Sequence, residues 1–158
     1  MSDDVEFEAL KRSSALQLLM KCGRLANEVA LARFRVTSGH ASLRAAHTNL
    51  FPHIDLGGTR LTEIARRLGH SKQSVAQLVD ELVEMGILER VPDPNDGRAK
   101  LVRFLGGAEA LSRGVRVLID LEAEIAEALG RGEFDRLHRS LAALEVWFLE
   151  ADAPEGPG

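Results

Sequence analysis

The chain has 158 residues, of which 45% are hydrophobic and 28% charged, and its net charge is −4. These values are typical of one soluble globular domain, with or without helical extensions. No apolar run approaches the ~20 residues of a membrane-spanning helix, and the acidic balance excludes a general attraction to nucleic acid or anionic lipid. One cysteine excludes an internal disulfide, and the acidic N-terminus has no signal-peptide core, so we expect a cytoplasmic protein.

The N-terminal part of the chain predicts helices. Apolar residues recur at steps of three and four through residues 18–32, which places them on one stripe of a helix that we assign to residues 1–38. The stretch TSGHAS ends this helix. Ser42 can cap a second helix, which Pro52 bends or ends. The segment DLGGT that follows is typical of a loop.

The middle of the chain begins LTEIARRLGHSKQSVAQLVDELVEMGILERV. Thr62 can cap a short helix over residues 63–68, and Gly69 can end it. Ser71 can cap the next helix, which we expect to run to about Met85. Two helices joined by a short turn that contains glycine predict a helix-turn-helix.

The sequence of the second helix predicts one buried face and one face that contacts DNA. Val75, Leu78, Val79 and Leu82 follow the i, i+3, i+4, i+7 pattern of a core face. The opposite face carries amides in its first half and acids in its second half. Acids repel phosphates, so only the first two turns can enter a groove, N-terminus first. The predicted DNA-contacting residues of the helix-turn-helix are Thr62, Ser71, Lys72, Gln73, Ser74 and Gln77.

A hairpin follows, with strands predicted at ILERV and AKLVRF and a tight loop within PDPNDGRAK. A helix-turn-helix followed by a hairpin predicts a winged helix. Arg98 lies at the predicted wing tip, where a cation can enter a narrow minor groove, and Lys100 can lie along the DNA backbone. We expect Asp96 to hold Arg98 in place and Gly97 to allow the turn. Residues 60–104 carry 8 basic and 7 acidic side chains, whereas the rest of the chain has an acidic excess.

The C-terminal part predicts two further helices, separated at GRG. The second has a heptad-like apolar seam, formed by Phe134, Leu137, Leu141, Leu144 and Phe148. One chain has few elements to cover such long apolar faces, so we predict a homodimer. In this interpretation residues 1–38 and 106–150 form the dimerisation region, residues 39–105 bind DNA, and residues 151–158 are a disordered tail.

The stretch LTEIARRLGHSKQSVAQLVDELVEMGILERVPDPNDGRAKLV resembles the winged-helix core of the MarR family of bacterial transcription regulators. LVDELVEMGILERV and the wing DPNDGRAKL, with its Asp-x-Arg at Asp96 and Arg98, match best. The resemblance implies a mostly α (α+β) fold, with a winged helix-turn-helix between N- and C-terminal dimerisation helices. It also implies a homodimer on a pseudo-palindromic operator, repression as the usual outcome, and release by a small ligand or oxidant in many members. The chain departs from the family pattern at FLGG, residues 104–107. Many members have Thr or Ser near the position of Leu105, where it caps the next helix.

Other interpretations concern the cysteine and the histidines. Cys22 could sense oxidants, as in some members of the family, but those members surround the thiol with tyrosines and this chain has no Tyr. His40, His47 and His53 are spaced seven and six apart, which does not suit one helix face, so we predict no metal site. His47 is either a satisfied core histidine or, with His40, a ligand for an acidic effector such as an aromatic acid.

Enzymatic function is not expected, because the sequence shows no Gly-rich phosphate loop, metal motif or nucleophile elbow. For the same reason no cofactor is expected. The remaining alternative is a winged helix that contacts another protein through its acidic surface and does not bind DNA specifically. The basic wing and the amide-rich start of the recognition helix favour double-stranded DNA as the partner.

Overall fold

The computed structural model describes residues 3–151, with side chains from residue 7 onward, so the predicted tail lies outside the described residues apart from Ala151. The mostly α (α+β) fold predicted from the sequence is confirmed. In chain order the described elements are α1 (Asp3–Ser13), α2 (Ala15–Ser38), α3 (Ala45–Thr48), a 3₁₀ helix (Phe51–His53), β1 (Thr59–Arg60), α4 (Leu61–Leu68), α5 (Lys72–Glu84), β2 (Leu88–Asp93), β3 (Asp96–Phe104), α6 (Gly107–Leu129) and α7 (Arg131–Ala151). None of the helices described is long and apolar enough to span a bilayer.

The N-terminal region contains two helices where the sequence predicted one. Ser14 is extended and its side chain accepts a hydrogen bond from the backbone N–H of Gln17, so it caps α2 and separates it from α1. Gly39 ends α2 in the left-handed conformation, with φ of 74°. This end agrees with the predicted break at TSGHAS.

Helix α3 is shorter than predicted, and Ser42 does not cap it. The N-cap is Arg44, whose backbone N–H donates to Nδ1 of His47 at 3.1 Å. The preceding residues form a turn in which Leu43 N–H bonds the carbonyl of His40, and the Leu43 side chain is buried. Burial of Leu43 therefore delays the helix by two residues, and Pro52 lies in the following 3₁₀ turn.

The sheet has three antiparallel strands with β3 in the centre. β2 pairs with β3 from Leu88 opposite Phe104 onward, as the predicted hairpin requires. β1 pairs Thr59 with Val102 and was not predicted. Gly58 makes this pairing possible: its φ is 99°, and an added Cβ would lie 2.9 Å from Cβ of Leu101.

One hydrophobic core joins the helix-turn-helix, the sheet and the C-terminal half of α2. Phe34 of α2, Phe51 and Phe104 of β3 form a chain of edge-to-face ring contacts across it. The fully buried hydrophobic residues of the core are Leu43, Leu50, Ile64, Val75, Val79, Leu82, Leu88 and Val102. The predicted core face of α5 is therefore correct, with Leu78 partly buried beside it.

The long helices have apolar side chains that this core does not cover. On α2, the stripe residues Leu18, Leu25 and Val29 are exposed. α6 begins at Gly107, which follows Gly106, and both glycines have a positive φ; the next break falls at Gly130 as predicted. α7 has no buried residue, and its predicted seam is exposed at Leu137, Leu141, Leu144 and Phe148.

Candidate nucleic-acid interface

The turn of the helix-turn-helix is formed by a helix end and a helix cap, both predicted from the sequence. Gly69 ends α4 in the left-handed conformation, with φ of 64°. Ser71 is extended, and its Oγ accepts the backbone N–H of Ser74 at 3.1 Å, which caps α5. The cap fixes where the first turn of α5 begins, and with it the side chains that can meet a groove.

Thr62 has a different place from the one predicted. α4 begins at Leu61, and its N-cap residue is Arg60, which makes no side-chain capping bond. The chain passes directly from strand β1 into the helix, so Thr62 lies inside the first turn and is exposed. Its predicted role as a cap is wrong, whereas its predicted contact with DNA stays a prediction.

The first two turns of α5 present polar side chains to solvent. Lys72, Gln73, Ser74 and Gln77 are all exposed. The hydroxyl of Ser74 lies 2.8 Å from that of Ser71, and the amide Nε2 of Gln77 donates to Oε1 of Glu81 at 3.4 Å. The structure thus brings the predicted reading residues of α5 onto one open surface.

Two of the three acids in the second half of α5, Asp80 and Glu81, have partners within the chain. Asp80 pairs with Arg90 of β2 at 2.7 Å. Glu81 pairs with Arg44 and with His47, both from the region of α3. Hydrogen bonds from the Arg44 guanidinium, and then from His47, lower the pKa of Glu81. These pairs neutralise part of the acidic face that follows the reading residues.

The wing has a shorter turn than predicted, because both strands extend toward its tip. Only Pro94 and Asn95 lie between β2 and β3. The buried carboxylate of Asp93 accepts the backbone N–H of Asn95 at 2.8 Å and Nε of Arg60 at 2.7 Å. These two bonds, in that order, lower the pKa of Asp93. Arg60 and Asp93 therefore link the turn of the wing to β1.

Asp96 and Gly97 support the wing less directly than predicted. Oδ1 of Asp96 accepts the backbone N–H of Arg98 at 3.1 Å, so it holds the strand and not the guanidinium. Gly97 lies in β3 and is absent from the glycines of positive φ. The turn precedes it by two residues and does not require its flexibility.

Most cations of the winged helix are already paired with acids. The pairs are Arg60 with Asp93, Arg66 with Glu63, Arg67 with Glu63 and Asp55, Arg90 with Asp80, and Arg103 with Glu89. Between residues 60 and 104, all of them described, the cations without a side-chain partner are Lys72, Arg98 and Lys100. Arg98 and Lys100 are two residues apart on β3 and so share one face.

The two histidines predicted for an effector lie in different environments. His47 is fully buried and bonded at both ring nitrogens, to Arg44 and to Glu81. His40 is half-buried in the turn after α2. No group of three or more His, Cys, Asp or Glu side chains suited to a metal ion occurs in the described part of the chain. The effector role of His40 and His47 stays a prediction. Cys22 is exposed, and whether it senses oxidants is not tested by the structure.

Comparison with models of protein families gives a match in the winged helix-turn-helix. Residues 53–99 match the model of the MarR family. In this segment the chain is similar to the MarR family. The match spans α4, α5 and the wing as far as Ala99, and so includes Lys72 and Arg98. The resemblance stated from the sequence is confirmed.

Solved structures of MarR-family regulators share the fold over most of their length. The repressor CouR, bound to a 23-mer DNA duplex, superposes with a TM-score of 0.66 at 23% identity, over 85% of this chain and 94% of CouR. Apo MarR from E. coli gives 0.63 at 22% identity, over 83% and 96%. A MarR-family regulator from Rhodococcus sp. RHA1 gives 0.62 at 19% identity, over 81% and 89%.

Proposed function

We propose that this protein is a MarR-family transcriptional regulator that binds a pseudo-palindromic DNA operator as a homodimer. The observation that carries the proposal is the set of unpaired cations, Lys72, Arg98 and Lys100. They lie at the start of α5 and on β3 of the wing. An unpaired cation can neutralise a phosphate and release its counterion without first breaking an ion pair within the protein. The DNA complex of CouR, which has the same fold, supports this proposal.

The proposal assigns distinct tasks to the predicted residues. Ser71, Lys72, Gln73, Ser74 and Gln77 enter the major groove, where Gln pairs with adenine and Lys with guanine or phosphate. Thr62 contacts the backbone beside them. Arg98 enters the minor groove, and Lys100 lies along the backbone next to it. Asp96 supports the strand that carries Arg98.

The homodimer is supported by the exposed apolar side chains of α2 and α7. Two stripes remain partly exposed in the described part of the chain: Leu18, Leu25 and Val29 on α2, and Leu137, Leu141 and Leu144 on α7. A second copy can bury them, because a two-fold interface places the same stripe on both partners. Two recognition helices then reach half-sites about one helical turn, ~34 Å, apart.

Repression with release by a small acidic ligand completes the proposal. An acid at His47 would have to replace Glu81, so His40, whose ring has no bonded partner in the structure, is the better candidate. A thermal-shift screen of aromatic acids against the parent protein and His40→Ala tests this. A ligand that raises the melting temperature of both proteins equally would exclude His40. A regulator of chromosomal DNA works in the cytoplasm, as the sequence predicts.

Salt-dependent binding tests the central claim. We expect the parent to bind a duplex from the promoter of its own gene, with a logarithmic affinity that falls linearly with the logarithm of salt concentration. Lys72→Ala, Arg98→Ala and Lys100→Ala should each reduce that slope by about 1. Arg139→Ala is the matched control, because it removes one exposed, unpaired cation from α7.

The outcomes separate DNA binding from its alternative. If all four variants keep the slope of the parent, the unpaired cations do not contact phosphate. If the parent binds its promoter no better than a scrambled duplex, sequence-specific regulation is wrong and a protein-contact module is favoured.

A further inference from the structure

Glu81 lies in the third turn of α5, and the two oxygens of its carboxylate bond different partners. Oε2 accepts hydrogen bonds from Nε2 of His47 at 2.7 Å and from the guanidinium of Arg44. Oε1 takes the amide nitrogen of Gln77 at 3.4 Å. One oxygen is therefore anchored near α3, and the other faces a residue of the proposed DNA-reading surface.

The anchor on the α3 side is rigid. The ring of His47 is fully buried, and its Nδ1 accepts the backbone N–H of Arg44, so Nδ1 carries no proton. The ring proton then lies on Nε2 and is donated to Glu81. With both nitrogens bonded and no solvent beside it, the imidazole has one orientation, and it holds the carboxylate in place.

This fixed carboxylate orients the amide of Gln77. An ionised carboxylate only accepts hydrogen bonds, so the nitrogen and not the oxygen of Gln77 must face Glu81. The reversed amide orientation is thereby disfavoured. The amide oxygen and the second N–H remain for a base, and together they match the N6–H donor and N7 acceptor of adenine.

We propose that Glu81 is a positioning residue that fixes the Gln77 amide and thereby gives the regulator its preference for adenine at one position in each half-site. His47 and Arg44 act through Glu81 and do not touch DNA. The inference rests on the proposed function, because it requires that Gln77 enters the major groove.

Selection from a library of duplexes with randomised sites tests the inference. Glu81→Gln keeps the length of the side chain, but its amide oxygen stays with His47 and its nitrogen faces Gln77, which favours the reversed amide of Gln77. We expect the adenine preference to fall roughly tenfold at one position per half-site, the same position that Gln77→Ala affects. Glu84→Gln is the control, because it removes an equal charge from α5 without touching Gln77.

The double variant gives the decisive readout. If Glu81 acts through Gln77, adding Glu81→Gln to Gln77→Ala changes the selected sequence no further. A purely structural role of Glu81 would instead lower affinity for all duplexes and leave the preferred bases unchanged. Should Glu81→Gln not fold, Glu81→Asp replaces it, since the shorter carboxylate keeps its charge but cannot hold His47 and reach Gln77 together.

The failures of the two proposals are distinguishable. If Gln77→Ala loses the adenine preference and Glu81→Gln keeps it, the positioning role is wrong and the regulator function stands. If Gln77→Ala selects the same sequences as the parent, Gln77 reads no base and this inference fails with it. If the parent selects no sequence at all, the proposed function itself is wrong.

Discussion

Helices α5 and α7 are both amphipathic, yet only one has its apolar stripe covered within the chain. On α5, Val75, Val79 and Leu82 are each 0% exposed, whereas on α7 Leu137, Leu141 and Leu144 are 43, 40 and 38% exposed. Hydrophobic periodicity is similar in the two sequences. Periodicity identifies the face of a helix that must be buried, but it does not show whether the same chain buries that face. The apolar stripe of α5 is buried in the structure, whereas that of α7 remains partly exposed.

The largest effect is expected where a charge is placed on the stripe of α7. Leu141→Glu should dissociate the homodimer, because an unpaired carboxylate buried at an interface costs several kcal/mol. Light scattering at micromolar concentration should change from twice the chain mass to the chain mass, and operator binding should be lost with it. If this variant remains dimeric, the exposed stripe of α7 is not the interface, and the two helices differ for another reason.

Arg139→Glu is the matched control for that experiment. It introduces the same carboxylate two residues away, on the face of α7 opposite the seam. Its mass should stay at twice that of one chain. Dissociation of both variants would indicate a general effect of charge on α7 and would weaken the argument from the seam.

The second effect concerns the covered stripe of α5. Leu82→Ala should lower the free energy of unfolding by roughly 2–5 kcal/mol, because it leaves a cavity in a closed core. Urea denaturation measures this. Val83→Ala, one residue away and partly exposed, should cost much less. Equal losses at the two positions would mean that the burial of α5 does not determine its contribution to stability.

Local signals allowed the sequence to predict much of this winged helix. Gly69 and Ser71 act within one helical turn of their own positions, so the end of α4 and the start of α5 were correct. Strand β1 was missed because a two-residue strand has no period, and its pairing depends on a close approach of Gly58 to β3. That strand also explains the error at Thr62, since the chain enters α4 directly from it.

Contacts between distant positions could not be predicted from spacing. Arg60 bonds Asp93 across 33 residues, and His47 bonds Glu81 across 34. Asp93 gave one weak signal, because an Asp two residues before Asn95 is typical of a side chain that bonds the turn backbone. The unpaired state of Lys72, Arg98 and Lys100 also depends on where every acid lies, which only the fold determines.

The third effect sharpens the contrast between paired and unpaired cations. Arg98→Ala should weaken operator binding by roughly 1–3 kcal/mol, with little change in melting temperature, because the guanidinium has no partner among the described residues. Asp96→Ala should cost less affinity, since Asp96 contacts the backbone of Arg98 and the guanidinium of Arg60, but not the guanidinium of Arg98. The loss at Arg98 should be larger on operators with A·T-rich flanks than with G·C-rich flanks, because sequence sets minor-groove width.

Arg103→Ala is the control for Arg98. It removes a cation from the same strand, but one that is paired with Glu89 at 2.8 Å. We expect a small change in melting temperature and little change in affinity. Equal loss of Arg98 on both kinds of flank would make it a simple phosphate contact, and no loss on either would remove the wing from the interface.

The smallest effect is expected at the exposed pairs of α4. Glu63 accepts hydrogen bonds from Arg66 at 2.7 Å and from Arg67 at 2.9 Å, and these bonds lower the pKa of Glu63 from 4.5 to about 2. A carboxyl whose pKa is lower in the folded state binds fewer protons there, so its contribution to stability is complete above about pH 4.5 and disappears as the pH falls toward about 2.

Glu63→Gln should therefore lower the melting temperature slightly at pH 7, and the difference from the parent should vanish at the acidic end of that range. Glu84→Gln, which removes a carboxylate that has no partner among the residues the structure describes, should show no such dependence. A difference for Glu63→Gln that is independent of pH would mean that the pairs of α4 contribute through packing and not through charge.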